Sequence, residues 1–208
     1  MRGARSTVVL FDLLSALLDS WTLWDDLAGS EERGRIWRLE YLRRTYRTGA
    51  YVPYLDLVAD SAAAVGLPRR LARTMEERWD ELVPWPGTGR VLGEMARRRP
   101  LGVVTNCSEE LGRRAAELVG APFDAVVTAE SAGCYKPDPR IYLDGVEALG
   151  VGVEEVLFVA GSPFDVEGAT AVGMPVVWHN PAKLAGEAAR RAAVAVIGDL
   201  AELPPLLE

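Results

Sequence analysis

The chain has 208 residues, 49% hydrophobic and 25% charged, which predicts one globular core or a core with a small attached domain. A formal net charge of −7 argues against a nucleic-acid partner, since binding to phosphates needs a concentrated basic face. Two cysteines and one histidine, His179, exclude a disulfide framework, a thiolate metal cluster and a multi-histidine metal site.

The N-terminus loosely resembles a secretory signal peptide, with Arg2 and Arg5 ahead of an apolar stretch at residues 8–18. Asp12 interrupts that stretch, and no cleavage site of small residues follows it. No other run approaches the roughly 20 apolar residues that are needed to span a bilayer. We therefore expect a cytoplasmic protein that has no membrane partner.

Short apolar runs recur along the chain, as is typical of strands that are buried on both faces of a sheet. Helical patterns lie between these runs. The alternation predicts an α/β fold, a Rossmann-like doubly wound parallel sheet. The predicted strands are residues 7–11, 101–104, 125–127, 156–159, 175–178 and 193–197, and the helices include 91–98, 109–119, 140–149 and 166–172.

The stretch from about residue 17 to residue 83 has a different pattern. It contains no strand-like run, and Leu, Arg, Glu and Ala recur in it at helical spacing. A Pro-Trp-Pro-Gly-Thr-Gly segment at 84–89 then breaks the helical pattern. We therefore predict a helical cap at 17–83, inserted after the first strand into a core domain that comprises 1–16 and 84–208.

Polar residues follow the predicted strands, at the carboxyl-terminal edge where open parallel sheets bind ligands. Asp12 follows the first strand, and Thr105 and Asn106 follow the second. Lys136 lies in the loop after the third, and Asp165 comes after the fourth. This combination indicates catalysis rather than packing, although Asp12 alone could equally cap a following helix.

Four motifs occur in order along residues 8–180. They are Phe-Asp at 11–12, Val-Thr-Asn at 104–106, Tyr-Lys-Pro-Asp-Pro-Arg-Ile-Tyr at 135–142 and Val-Leu-Phe-Val-Ala-Gly-Ser-Pro-Phe-Asp at 156–165. Together they resemble the signature motifs of the haloacid dehalogenase superfamily. The Lys-Pro-Asp-Pro-Arg-x-Tyr string, Trp-x-Asn at 178–180 and Ile-Trp-Arg at 36–38 resemble the (S)-2-haloacid dehalogenases in particular.

The resemblance implies a hydrolase in which Asp12 attacks the halogen-bearing carbon to form an ester, which water then opens to give a 2-hydroxy acid. Lys136 would lower the pKa of Asp12 and orient its carboxylate. Asp165 would pair with Lys136 or position the water. Arg38 would hold the departing halide, although by itself it could be a surface residue of a helix.

The resemblance also implies a set of substrate-binding residues: Leu14, Thr105, Asn106, Tyr142 and Ser162. Asn106 would help Arg38 to stabilise the halide, and Thr105 would hold the substrate carboxylate. Each of these two could instead cap a helix that begins near residue 108. Tyr142 would line the site or be a core aromatic, and Asp165 could be a helix N-cap.

The sequence departs from the phosphatases of the superfamily. Leu14 stands where they have a general acid, and Ala160-Gly161 replaces a Gly-Asp pair that helps to hold Mg²⁺. It departs from the dehalogenases as well. Leu14-Ser15-Ala16 replaces aromatic-Gly-Thr, so a threonine hydroxyl that supports the nucleophile is absent, and Ala160-Gly161-Ser162 replaces Ser-Ser-Asn.

Three hypotheses follow. The leading one is a hydrolase of small 2-halocarboxylates that needs no cofactor. The first rival is a Mg²⁺-dependent small-molecule phosphatase, with Asp12 and Asp165 as metal ligands. The second is a weakly active or regulatory member of the superfamily. The helical insert could form a homodimer surface that includes Trp21, Trp24 and Trp37. This suggestion fails if the three tryptophans are buried within one chain.

Overall fold

The computed structural model describes residues 8–208. Arg2, Arg5 and Thr7, the first residue of the first predicted strand, lie outside the described residues. Within the described range, no helix combines the length and the apolar character that crossing a bilayer would require.

A six-stranded sheet forms the centre of the molecule, in the order β5-β4-β1-β6-β7-β8, and every pair in it is parallel. This confirms the predicted fold class. Strand β1 lies between β4 and β6. The later strands β4 and β5 lie on one side of β1, and β6, β7 and β8 lie on the other, so the strand order reverses beside β1. The six strands are β1 (Val8–Phe11), β4 (Leu101–Thr105), β5 (Ala125–Thr128), β6 (Val156–Ala160), β7 (Val176–His179) and β8 (Ala195–Ile197).

Helices cover both faces of the sheet, which is why β1, β4 and β6 are buried throughout. Ser108 caps the helix after β4, and its side chain accepts a hydrogen bond from the Leu111 backbone N–H. The helices after residue 84 are α5 (Thr88–Met95), α6 (Glu109–Leu118), α7 (Ala129–Ala132), α8 (Pro139–Ala148), α9 (Pro163–Ala171) and α10 (Glu187–Ala192).

The segment between β1 and the rest of the sheet is helical, as predicted, with one difference. Leu18–Asp19 forms a short strand, β2, which pairs antiparallel with β3 (Val83–Pro84). The sequence predicts no strand there. The two segments that join the helical segment to the sheet lie side by side, so their backbone N–H and C=O groups can pair. Between the two strands lie α1 (Ser20–Ala28), α2 (Glu31–Thr48), α3 (Tyr54–Ala64) and α4 (Leu71–Glu77). The division into core and cap domains stays a prediction.

Aromatic side chains fill the interior of this helical segment. Trp24 and Trp37 have ring centroids 4.5 Å apart, and Trp37 Nε1 donates to Ser61 Oγ at 2.9 Å. Trp21, Trp24 and Trp37 are only 6%, 2% and 0% exposed. The suggestion that these tryptophans form a dimer surface is therefore wrong, because they pack within one chain.

Candidate active site

Asp12 follows β1 directly, at the carboxyl edge of the sheet, and is only 5% exposed. Its backbone N–H donates to the Val159 carbonyl at 2.9 Å, which extends the pairing of β1 with β6 by one residue. Its Oδ2 accepts from the Ser15 and Ala16 backbone N–H groups, both at 3.1 Å. The capping interpretation therefore holds in part, but for a turn rather than a helix.

Ser15 supplies the hydroxyl support that the sequence seemed to lack beside Asp12. Its Oγ donates to Asp12 Oδ2 at 2.8 Å, so a serine one position earlier takes the place of the missing threonine. Burial alone would raise the pKa of Asp12, but the Lys136 ammonium and the donors of Ser15 outweigh it and lower that pKa below 3.8. The carboxylate is therefore ionised at neutral pH.

Lys136 lies between the two carboxylates of the site and is almost completely buried. Its Nζ is 2.7 Å from Asp12 Oδ1, 3.0 Å from Asp165 Oδ1 and 3.1 Å from Asp165 Oδ2. It also donates to the Val104 carbonyl at 3.2 Å. Burial opposes the charged form, but the two carboxylates outweigh it and raise the pKa of Lys136. The site therefore holds a permanent ammonium.

Asp165 lies in the first turn of α9, which Ser162 caps by accepting from the Asp165 N–H at 3.2 Å. The N-cap interpretation of Asp165 is therefore wrong, and Ser162 has that role. Asp165 Oδ1 accepts from the Tyr46 hydroxyl at 3.0 Å and from the Tyr142 hydroxyl at 3.2 Å. Burial raises the pKa of Asp165 to about 6, although Lys136 lowers it.

Arg38, on α2, is 3% exposed, so the surface interpretation is wrong. Its guanidinium carbon lies 4.5 Å from the centre of the Trp21 ring and 5.4 Å from that of Trp24. One N–H reaches the Leu14 carbonyl at 3.5 Å, and Nε has no partner among the described residues. Burial lowers the pKa of Arg38, but an arginine stays charged at neutral pH.

Thr105 and Asn106 do not cap α6, since Ser108 does. The Asn106 side chain instead clamps the Lys136 backbone: Oδ1 accepts from its N–H at 2.7 Å, and Nδ2 donates to its carbonyl at 3.3 Å. Thr105 is fully buried, and no described residue bonds to its Oγ1. Asn106 thus positions the lysine, while Thr105 keeps a free hydroxyl.

A small cavity, about 20 Å³ in volume, lies among these groups. Tyr142 does not line it; this side chain is fully buried behind Asp165 and packs on Phe158 with ring centroids 5.4 Å apart. Helical spacing after Arg38 could have revealed the contribution of α2, because residues three, four and eight positions later share its face. The lining residues are Asp12, Leu14, Ser15, Arg38, Tyr41, Leu42, Tyr46, Thr105, Asn106, Lys136, Ser162 and Asp165.

Gly161 lies against the loop that carries Asp12. A Cβ at this position would be 2.3 Å from the Ala16 backbone nitrogen and 2.5 Å from the Ser15 carbonyl carbon. The backbones are therefore too close for an aspartate here, where the phosphatases resembled by the sequence have a metal ligand. In addition, residues 8–208 contain no group of three or more His, Cys, Asp or Glu that could hold a metal ion. Position 161 therefore supplies no side-chain ligand for Mg²⁺.

We expect Gly161→Ala to lower the free energy of unfolding by about 1–3 kcal/mol, because the added methyl overlaps backbone that cannot move without displacing Asp12. Gly93→Ala in α5 is the matched control. A Cβ there meets nothing within 4 Å, so this change should stabilise the protein by up to about 1 kcal/mol. Urea unfolding measures both, and a Gly161→Ala protein as stable as the wild type would contradict the close approach.

A parallel sheet with an ionised carboxylate, a buried ammonium and a second carboxylate at its carboxyl edge defines an α/β enzyme site. The family model for haloacid dehalogenase-like hydrolases matches residues 7–173. The chain belongs to the haloacid dehalogenase-like hydrolase family.

Relatives of similar sequence include proteins named as dehalogenases and a protein named as a phosphatase. The (S)-2-haloacid dehalogenase 1 of Pseudomonas sp. (strain CBS-3) is 29% identical, with 95% of each chain covered. The phosphoglycolate phosphatase of Rhodospirillum rubrum is 34% identical over 71% of this chain and 63% of its own. The L-2-haloacid dehalogenase of Xanthobacter autotrophicus with chloropropionic acid covalently bound has the same fold, with a TM-score of 0.82 at 23% identity, covering 97% of this chain and 98% of that one.

Proposed function

We propose that this protein hydrolyses the carbon–halogen bond of a small 2-halocarboxylate, with Asp12 as a covalent nucleophile and without a metal ion. One observation carries the proposal. An ionised Asp12 lines the same cavity as Arg38, a buried arginine that forms no ion pair with a carboxylate of residues 8–208. A nucleophile that faces an unpaired cation suits a reaction that expels an anion.

In the first step, Asp12 attacks C2 of the substrate. Oδ2 already accepts three hydrogen bonds, whereas Oδ1 accepts one from Lys136 and keeps a lone pair for attack. An ester bond forms between Oδ1 and C2 as the carbon–halogen bond breaks. The halide leaves with the bonding electrons toward Arg38, whose positive charge attracts an anion more strongly at a buried position than in bulk water.

In the second step, water adds to Cγ of the Asp12 ester, and the bond between Cγ and the product oxygen breaks. The products are a 2-hydroxy acid and the regenerated carboxylate. Asp165 is suited to accept the proton of the water, because its pKa of about 6 leaves it mostly ionised at neutral pH and still basic.

The lining of the cavity supports a small carboxylate substrate. The cavity itself is narrow, about 20 Å³ in volume, which disfavours a bulky substrate. Thr105 Oγ1, which has no partner among residues 8–208, could donate to the substrate carboxylate. The dehalogenase relatives, one of them with chloropropionic acid covalently bound, support the same substrate class.

The relative named as a phosphatase keeps phosphate-ester hydrolysis as a second candidate. Two positions argue against it. Leu14 has no proton to give a leaving alkoxide, and Gly161 leaves no room for a further metal ligand. The third hypothesis, a weak or regulatory protein, loses one of its grounds because Ser15 supports Asp12.

The test is halide release from chloroacetate and 2-chloropropionate in the presence of EDTA. We expect turnover that EDTA does not reduce, and no hydrolysis of phosphoglycolate or other small phosphate esters with added Mg²⁺. Arg38→Met should reduce halide release by roughly 100-fold, because the leaving anion loses the one cavity-lining cation of residues 8–208 that has no ion-pair partner there. Arg33→Met, at an exposed position of the same helix, should leave the rate unchanged. Phosphatase activity that depends on Mg²⁺, without halide release, would overturn the proposal.

A further inference from the structure

Tyr46 brings a hydroxyl from the helical segment into the active site. It lies near the end of α2, lines the cavity, and packs on Phe164 with ring centroids 4.9 Å apart. Its hydroxyl donates to Asp165 Oδ1 at 3.0 Å. No sequence motif points to this residue, because it lies in a helix far from the four motifs along the chain.

The fourth motif supplies little polar support of its own around Asp165. Ala160 and Gly161 have no polar side chain, and the Ser162 hydroxyl is used to cap α9. Two hydroxyls that donate to the Asp165 carboxylate come from other elements. Tyr142 provides one from behind the cavity, and Tyr46 provides one from its wall.

We propose that Tyr46 is a positioning residue for the ester-hydrolysis half of the reaction, in which it holds Asp165 ionised and oriented toward the water that opens the Asp12 ester. The inference rests on the proposed function. Two phenol donors on Oδ1 fix the rotation of the carboxylate and favour its charged form. The carboxylate can then take a proton only along its remaining lone pairs.

Asp165 carries one proton of the attacking water to the product oxygen. Asp165 takes one proton from the water as the hydroxyl oxygen adds to Cγ of the Asp12 ester. That proton passes to the product oxygen as the bond between Cγ and this oxygen breaks. The second proton of the water stays on the regenerated Asp12 carboxyl and is then lost to solvent. Tyr46 keeps its own proton throughout, because burial raises its pKa well above the ordinary value.

Among the residues that the structure describes, four charged or titratable groups face Asp165: Asp12 after β1, Lys136 ahead of α8, Tyr142 on α8 and Tyr46 on α2. Asp12 raises the pKa of Asp165, while Lys136 and the Tyr46 hydroxyl lower it. Removing the Tyr46 hydroxyl should therefore raise this pKa further. The acidic limb of the pH profile for ester hydrolysis should move to higher pH, with little effect on ester formation.

The test follows the two half-reactions of Tyr46→Phe separately with 2-chloropropionate. Rapid quenching and intact-protein mass spectrometry give the first-order formation and decay of the ester on the protein. A first-order decay constant does not depend on how much of the protein is folded. We expect ester decay to slow by roughly 10-fold at neutral pH and to recover toward the wild-type value in alkaline buffer, while ester formation changes less than about twofold.

Tyr41→Phe is the matched control. Tyr41 lines the same cavity, but its hydroxyl donates to the Asn106 carbonyl and does not touch Asp165. In Tyr41→Phe, the acidic limb of the pH profile for ester decay should therefore lie at the same pH as in the wild type. Equal decay in Tyr46→Phe and the wild type, or a loss that is the same at every pH, would overturn the role of Tyr46. Absence of any ester or halide in the wild type would instead overturn the proposed function.

Discussion

Asp12→Asn is expected to reduce halide release by roughly 10⁴-fold or more, because a neutral amide cannot displace a halide from carbon. The change also has a structural cost. Donors surround both carboxylate oxygens: Lys136 faces Oδ1, while Ser15 and Ala16 face Oδ2. Whichever way the amide turns, its NH₂ group meets a donor, so stability should fall by about 1–3 kcal/mol. Ion chromatography of released chloride measures the activity.

Asp56→Asn is the control, since it makes the same substitution at an exposed position of α3. It should leave both activity and stability unchanged. Circular dichroism establishes that the Asp12→Asn protein is folded under the assay conditions. A folded Asp12→Asn protein that releases chloride at the wild-type rate would show that Asp12 is not the nucleophile.

Lys136→Met is expected to lower the free energy of unfolding by about 3–5 kcal/mol at neutral pH and to abolish turnover. The change leaves two buried carboxylates, Asp12 and Asp165, close to each other without their shared ammonium. Asp12 also loses the cation that lowers its pKa, and becomes a poorer nucleophile as it takes up a proton. Lys183→Met replaces the only other lysine of the chain, at an exposed position, and should have little effect.

The stability deficit of Lys136→Met should depend on pH in a definite direction. Without the ammonium, both carboxylates have raised pKa values in the folded protein, so the folded state binds more protons than the unfolded state between about pH 4 and the raised values. Stability gained this way is present at low pH and is lost as the pH rises through the folded-state pKa. The deficit relative to the wild type should therefore shrink as the pH falls from about 7 toward about 5. A deficit that grows on acidification would contradict the shared-ammonium account.

Most of the sheet could be predicted because its strands are continuously apolar and end at recognisable turns. The strand predicted at 101–104 ends one residue later, at Thr105. The last strand is shorter than predicted, because the Ala193 N–H still bonds to the Ala189 carbonyl and belongs to the end of α10. The strand β2 could not be predicted, since two residues carry no periodicity and the pairing depends on where the chain returns.

The candidate site, like the sheet, could be predicted only in part. Asp12, Lys136 and Asp165 were predicted to lie together, because residues that follow parallel strands meet at one edge. Tyr46 was not, because the fold of the inserted helices decides which of their faces covers that edge. The support from Ser15 was missed for a different reason. A matching motif shows that a threonine is absent, but only the turn geometry shows which hydroxyl replaces it.

One single-turnover experiment distinguishes attack by Asp12 on the substrate carbon from attack by water. Enzyme in excess over 2-chloropropionate reacts once in water labelled with the heavy isotope of oxygen, and mass spectrometry then locates the label. Water that opens an ester at Cγ leaves its oxygen on Asp12, and the product takes an unlabelled oxygen from the carboxylate. If Asp12 is the nucleophile, the label will be in the peptide that contains Asp12 and absent from the lactate. Label in the lactate, with an unlabelled Asp12, would rule out Asp12 as the nucleophile, because water would then have attacked the substrate carbon itself.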